Sequence, residues 1–281
     1  MELKGSLCEF TSTDHYKLVG FLNNIKSKTA LIHLHGMGSF FWKGDLVYEA
    51  CNKAEIGCFL INNRGSVPLL KLKSSIDEKD KFWAGTGLEI FEDCIKDIDG
   101  AIDFLKQKGY EKFIICGHSS GSQKSLYYAL NSKKQEEILG FVFLAPGDDF
   151  NLLRDKYVEN FSEVFEKAKR RYDERIIFGI EGIGYFSPKR FYDLVKEDSI
   201  EGNLFNYKKE LSHIKKVEKP ILAVFGKDEE HALIPPKEML DKIENNFTNK
   251  SSKTELISGD HSFRGGEEEL KETLYNWIKK I

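Results

Sequence analysis

No apolar run in this chain approaches the ~20 residues that a membrane span requires. The opening stretch "MELKGSLCEF" has neither the charged start, the long apolar core nor the cleavage site of a signal peptide. These two absences set the expectation of a cytoplasmic protein with no membrane span. Charge of neither sign dominates: 42 Lys and Arg stand against 45 Asp and Glu, a net charge of -3. The basic residues are spread rather than clustered, which excludes a nucleic-acid footprint. Cysteine pairs are missing too. The 5 cysteines (Cys8, Cys51, Cys58, Cys94 and Cys116) are odd in number and form no CxxC. They are expected as reduced thiols serving as small core residues. No Walker lysine follows a glycine-rich turn, no GxGxxG is present, and no metal-ligand spacing occurs. A nucleotide or metal enzyme is thereby disfavoured, and no cofactor is expected. There is no internal repeat or low-complexity tract.

What is present is an ordinary globular composition: 281 residues, 41% hydrophobic and 31% charged, ample to bury a core. Eight short apolar runs punctuate the chain. "LCEFTS" and "KLVGFL" flank a turn and predict an opening hairpin. "ALIHLHG", "GCFLINNRGS", "KFIICGHSSG", "GFVFLAPG", "PILAVFGKD" and "KTELISGDH" mostly end in Gly, Asp or Ser, as buried parallel strands do. Helical patterns lie between them. Ile90, Cys94, Ile98, Ile102 and Leu105 share one helical face, with Gly109 as the stop. Leu270, Leu274, Trp277 and Ile278 share another near the end. Alternating strands and helices predict a mostly parallel α/β sheet. The rhythm breaks over residues 147–213. There Leu153, Tyr157, Phe161, Phe165, Ala168 and Tyr172 line one stripe of a predicted long helix. Gly179, Gly182 and Gly184 follow, and Ser187-Pro188 reads as the N-cap and first position of another helix. The expectation is a core domain of residues 1–146 and 214–281, with residues 147–213 as a helical cap over it. The cap's aromatics (Phe161, Phe165, Tyr172, Phe178, Tyr185, Phe186, Phe191 and Tyr192) divide between packing the cap and, with Phe40, Phe41 and Trp42, lining an apolar pocket. The glycines of residues 179–184 suggest a lid hinge.

The stretch "IICGHSSGSQKS" carries the chemistry. A nucleophilic serine must present its oxygen while other groups close on it, and a sharp strand-to-helix turn does this. Gly117 and Gly121, two residues either side of Ser119, let neighbouring backbone come close, and the following helix N-terminus favours a developing oxyanion. Serine needs a base held by a third group. Of 7 histidines, His261 in "LISGDHSF" follows the last predicted strand and is the candidate base. His231 sits in a charged loop, His33 lies inside a strand, His118 belongs to the turn, and His15 and His213 have no supporting context. For the acid, Asp228 in "VFGKDEEH" follows a strand directly, at the edge where α/β sheets place their sites. Asp148 or Asp149 is a rival, and Glu230 a weaker one. "LHGMGS" ends a strand at the same edge, so the N–H groups of Met37 and Ser120 are the candidate oxyanion donors.

In order along the chain, "HLHGMGS", "NNRGS", "GHSSG", "FGKDEE" and "GDHSF" resemble the α/β-hydrolase superfamily over essentially the whole length. "GTGLEIFEDCIKDIDGAIDFL" and the turn around Ser119 resemble an esterase-like group within it. The resemblance implies an eight-stranded α/β-hydrolase fold with a cap insertion. It also implies a Ser119–His261–Asp228 triad and an oxyanion hole at Met37 and Ser120. Many relatives carry aspartate in a D-x-R-G segment where this chain has Asn62-Asn63-Arg64-Gly65, a departure at the site wall. The implied activity is cofactor-independent cleavage of a carboxylic ester through an acyl-enzyme on Ser119. Peptide or amide hydrolysis and thioester hydrolysis use the same parts. A hydrolase-fold binding module without catalysis is the alternative of another class. The expected partner is a small acyl substrate, and the oligomeric state is left open.

Overall fold

The computed structural model describes residues 3–181 and 183–281. The chain runs β1 (Ser6–Thr11), β2 (Lys17–Leu22), β3 (Thr29–Leu34), α1 (Asp45–Ala54), β4 (Gly57–Asn62), β5 (Leu70–Lys73), β6 (Lys81–Ala84), α2 (Cys94–Gln107), β7 (Lys112–His118), α3 (Ser120–Asn131) and β8 (Ile138–Leu144). It continues through α4 (Asp149–Leu152), α5 (Phe161–Arg170), β9 (Phe178–Ile180), β10 (Gly184–Phe186) and α6 (Pro188–Val195). It then closes with β11 (Ile221–Gly226), α7 (Pro236–Glu244), β12 (Lys253–Ile257) and α8 (Glu267–Ile278).

All eight apolar runs enter one sheet, in the order β1-β2-β4-β3-β7-β8-β11-β12. β2 pairs antiparallel with both neighbours, and the rest run parallel. The central strands are apolar on both sides because helices cover both faces. Ile114, Ile115, Phe141, Phe143, Leu222 and Val224 are fully buried. Parallel pairing sets the C-terminal ends of β3, β7, β8 and β11 side by side, so the loops after them share one edge. The predicted face of α8 is confirmed, with Leu270, Leu274, Trp277 and Ile278 buried. In α2 the pattern begins later than expected. Ile90 is exposed and precedes the helix, while Phe91 takes the buried place in a 3-10 turn before Cys94. No disulfide forms among the described residues, and Cys51, Cys58, Cys94 and Cys116 are buried.

The long helix expected around residues 153–172 is broken. α4 is capped by Asp148, whose side chain accepts from Asn151 N, and a π turn follows over Leu153–Tyr157. Asn160, at φ 51 in the left-handed region that Asn tolerates better than most residues, restarts the chain as α5. The stripe still packs: Leu153, Ala168, Phe186, Phe191, Leu194 and Val195 form a second small core, with Phe161 and Phe165 against it. β9 and β10 pair in a hairpin that periodicity did not reveal. Gly182, named in the hinge expectation, lies outside the described residues. Ser187 caps α6 as expected, accepting from Arg190 N at 3.2 Å with Pro188 in the first turn. Leu204, Phe205, Tyr207 and Leu211, late in the expected insertion, pack with the main core.

Arg64, in the Asn62-Asn63-Arg64-Gly65 segment, is a buried anchor of the fold. Its guanidinium donates to Asp97 at 2.7 Å and 3.0 Å, to Asp14 at 2.8 Å and 3.0 Å, and to Asp93 at 3.0 Å. Asp97 is wholly buried, and burial lifts its pKa even against the pull of Arg64. Arg64→Met therefore leaves a buried carboxyl unpaired, and the expected loss is about 3–5 kcal/mol of unfolding free energy. Arg64→Lys recovers little of it, because an ammonium cannot reproduce the guanidinium fork. Denaturant titration checks this, and a loss below about 1 kcal/mol would sink it.

Candidate active site

Ser119 stands between β7 and α3 at φ 54, ψ -125, a region that L residues occupy only when the surroundings enforce it, at roughly 1–3 kcal/mol. The surroundings do enforce it. A Cβ on Gly117 would lie 2.0 Å from Gly121 O, and one on Gly121 would lie 2.2 Å from Leu34 O. Only glycine at both positions lets α3 rise this steeply from β7 and press against the end of β3. The Ser119 N–H donates to Leu144 O at 2.8 Å, fixing the turn to β8.

The turn after β3 meets it from the other side. A Cβ on Gly36 would sit 3.1 Å from Ser119 Cβ. In that turn Ser39 N donates to Gly36 O at 3.1 Å and Gly38 N to Thr86 Oγ1 at 2.7 Å. The Met37 N–H is left without an acceptor among the described residues, as is that of Ser120 in the first turn of α3. Two free backbone donors therefore flank Ser119.

His261 lies on the loop after β12 and lines the same cavity as Ser119. Its Nδ1–H donates to Glu229 Oε1 at 2.8 Å and Oε2 at 2.9 Å. The Nδ1 proton leaves the lone pair on Nε2. Burial works against a charged imidazole here, but the hydrogen bond and charge of Glu229, with Glu230 and Asp149 further off, hold the His261 pKa above its ordinary value. His261 N donates to Glu230 Oε2 at 2.8 Å, and His118 Nε2 donates to His261 O at 2.8 Å. Burial, aided by His261, lowers the His118 pKa to about 3, so that ring serves as a neutral brace.

The acid beside His261 is thus Glu229, not the expected Asp228. The reason is the turn that follows β11. Beyond Gly226 the chain keeps pairing with the β12 side, Lys227 N to Ile257 O at 2.8 Å and Asp228 N to Gly259 O at 3.0 Å. Two consecutive N–H groups donating to the same side mark a turn rather than a continued strand, and this turn leaves Lys227 and Asp228 both exposed. Asp228 is exposed and its neighbour Glu229, 8% exposed, turns inward. Asp148 is occupied elsewhere, accepting from Asn151 N and Nδ2 and from Tyr207 N. Asp149 Oδ2 accepts from Gln123 Nε2 at 2.8 Å.

The cavity measures about 680 Å³. Met37, Trp42, Leu144, Leu152 and Ile183 give it apolar wall, and His33, Asp149 and His231 polar wall. None of the eight aromatics singled out in residues 161–192 lines it. Seven of them pack on one another instead, Phe165 stacked on Tyr192 and Phe178 edge-on to Phe191, while Tyr185 is exposed. His231 packs edge-on to His261 with ring centroids 4.7 Å apart and shares a 2.6 Å hydrogen bond with Tyr157.

The model of a protein family described as "Protein of unknown function (DUF1749)" matches residues 81–280. The chain belongs to this family. The matched segment holds Ser119, Glu229 and His261, while Met37 precedes it. No curated protein matches the sequence. Among solved structures, the monoglyceride lipase of Saccharomyces cerevisiae is 16% identical, covering 100% of this chain and 96% of that one, with a TM-score of 0.67. Mouse alpha/beta hydrolase domain-containing protein 10 is 16% identical over 98% and 99% of the two chains, with a TM-score of 0.64. The Pyrococcus furiosus esterase Pf2001 is 16% identical over 99% and 93%, with a TM-score of 0.60. At these identities the likeness establishes the fold: this member of the family has the α/β-hydrolase fold over nearly its whole length. No described helix is long and apolar enough to cross a membrane.

Charged residues that sequence patterning did not single out form a buried support behind the site. Lys124 on α3 pairs with Glu89 at 2.5 Å and donates to Asn63 Oδ1 at 3.0 Å. Arg190 on α6 pairs with Glu201 at 2.6 Å and stands 3.8 Å from Glu89. Thr86, which holds the Met37 turn through Gly38, was missed as well. Its Oγ1 donates to Gly65 O at 2.5 Å.

Proposed function

We propose that this protein is a serine hydrolase that cleaves a carboxylic ester through an acyl-enzyme on Ser119. The observation that carries the reading is the convergence on one cavity of a strained Ser119 and a His261 whose Nδ1 proton is committed to Glu229. In the proposed reaction Ser119 Oγ attacks the carbonyl carbon and His261 Nε2 takes its proton. Charge developing on the carbonyl oxygen is met by the Met37 and Ser120 N–H groups, which are free and need not reorganise. His261 then protonates the leaving alcohol. Water enters and attacks the acyl carbon as His261 takes its proton, and His261 then returns that proton to Ser119 Oγ as the bond to the acyl carbon breaks and the acid leaves. Glu229 keeps the imidazole in the right tautomer and stabilises its charged form. Esterases and lipases among proteins of like fold support the ester as substrate class.

Residues 147–213 act in this reading as a cap over the site. Leu152 and Ile183 reach the cavity wall, and Lys156 Nζ donates to Glu230 O at 2.7 Å beside the acid loop.

A fluorophosphonate probe tests the reading directly. The expected result is stoichiometric labelling of the wild type at Ser119, found by peptide mapping, and none of Ser119→Ala. A folded wild type that resists the probe would favour a binding module over an enzyme.

A further inference from the structure

Asp149 is a buried carboxyl that the proposed reaction does not use. It opens α4 directly after the strand that precedes the insertion, and it lines the cavity together with Ser119, His261, Leu152 and Ile183. The residue is only 9% exposed. One oxygen, Oδ2, is held by Gln123 Nε2. The other, Oδ1, has no hydrogen-bond partner among the described residues. It is not sealed in protein, because the side chain faces the cavity. Open to the cavity, it is satisfied by solvent in the free protein, and a bound substrate that displaces the solvent must supply a polar group in its place. A substrate group arriving in the cavity is what this position is shaped to meet.

The groups around Asp149 narrow the choice. Burial, with Glu201 and Asp148 adding to it against the opposing pull of Arg190 and His261, raises its pKa to about 7. Near neutral pH the carboxyl can therefore donate or accept. Glu201 is itself paired with Arg190, and Asp148 is held by Asn151 and Tyr207, which leaves Asp149, held through Oδ2 alone, with an oxygen to offer. An anion would meet an acidic neighbourhood there. A hydroxyl, which also donates and accepts, is the matching group.

We propose that Asp149 is a specificity-determining residue that hydrogen-bonds a hydroxyl of the substrate, so that the preferred esters are hydroxylated on the acyl chain or on the alcohol. This rests on the serine-hydrolase reading above for the site of cleavage, not for the binding. A site built around such a contact rejects the analogue that lacks the hydroxyl, since the carboxyl is then left buried and unpaired.

The test uses two matched pairs of esters. p-Nitrophenyl 3-hydroxybutyrate against p-nitrophenyl butyrate places the hydroxyl on the acyl side. Glyceryl monobutyrate against propyl butyrate places it on the alcohol side. In the wild type, kcat/KM for the hydroxylated member of one pair is expected to exceed that of its partner roughly 10- to 100-fold. The pair that discriminates names the side. In Asp149→Leu the ratio collapses to about 1. In Asp149→Asn, which can still accept from Gln123 and offers its amide to the substrate, most of the ratio returns. Ratios within one variant are insensitive to how much of it is folded. A wild-type ratio near 1 in both pairs, or a ratio that survives Asp149→Leu, overturns the proposal. Binding is read separately as Kd of the same esters to Ser119→Ala. Discrimination in Kd without wild-type turnover would uphold the Asp149 contact and reject the hydrolase reading. Turnover that Ser119→Ala abolishes, with no discrimination in either assay, would do the reverse.

Discussion

Ser119→Ala is expected to lower kcat on p-nitrophenyl butyrate about 10⁶-fold, because the proposed acyl-enzyme then has no oxygen on which to form. His261→Ala costs about as much, since an unactivated serine hydroxyl is a weak nucleophile. The double variant falls no further, because the two groups act as one unit. A residual rate of about 10³ to 10⁴ over water remains, owed to the free N–H groups of Met37 and Ser120 and to the cavity itself. Stability separates two inactive variants. Alanine keeps the Cβ that makes φ 54, ψ -125 costly at position 119, so its unfolding midpoint stays near that of the wild type. Ser119→Gly relieves that strain. After the added freedom of the unfolded chain is deducted, a gain of about 1 kcal/mol remains. Steady-state rates and denaturant midpoints on the wild type and the four variants check both halves. A Ser119→Ala variant that kept more than roughly a thousandth of the rate would remove Ser119 as nucleophile.

The same residues show how far the sequence alone reaches. The central strands β3, β4, β7, β8 and β11 were legible because a strand covered on both faces must be apolar throughout and must stop at a turn residue, while β1 and β2 showed as a hairpin about a turn. The turn that holds Ser119 was legible because its glycines have no substitute: a Cβ on Gly117 would meet the backbone of α3, and one on Gly121 that of β3. That His261 would lie at the same edge as Ser119 was legible from its place after the last strand. The helix over residues 153–172 was misread because an apolar stripe survives a break. Leu153 and Phe165 pack in one small core although Asn160 interrupts the helix between them. The support of Lys124, Glu89, Arg190 and Glu201 was hidden for a different reason. Charged residues are usually solvated, and only the fold brings opposite signs together where water is excluded.

Asp228 is the instructive miss, and it yields the second large effect. Glu229→Gln is expected to lower kcat about 10³- to 10⁴-fold, while Asp228→Asn changes it by no more than about twofold. The amide introduced by Glu229→Gln no longer dictates which nitrogen of His261 carries the proton, and no charge stabilises the imidazolium of the transition state. The pH profile distinguishes this from simple loss of packing. In the proposed reaction His261 serves as base only when neutral, so activity is expected to rise as pH rises through its pKa, which Glu229 holds above the ordinary value. Removing the carboxylate lets burial prevail, lowers that pKa and moves the acid limb of kcat/KM to lower pH. The linkage to stability has the matching sign. Because the folded pKa is raised, the His261–Glu229 pair contributes stability that is fully present below the unfolded pKa of about 6.5. That contribution is lost as pH rises through the folded value, and Glu229→Gln should erase this pH-dependent part while Asp228→Asn keeps it. Rate profiles and denaturant midpoints between about pH 5 and 9 for the two variants decide the matter. A large loss in Asp228→Asn with little change in Glu229→Gln would return the acid's role to Asp228, and would mean that the loop after β11 shifts by one residue when substrate binds.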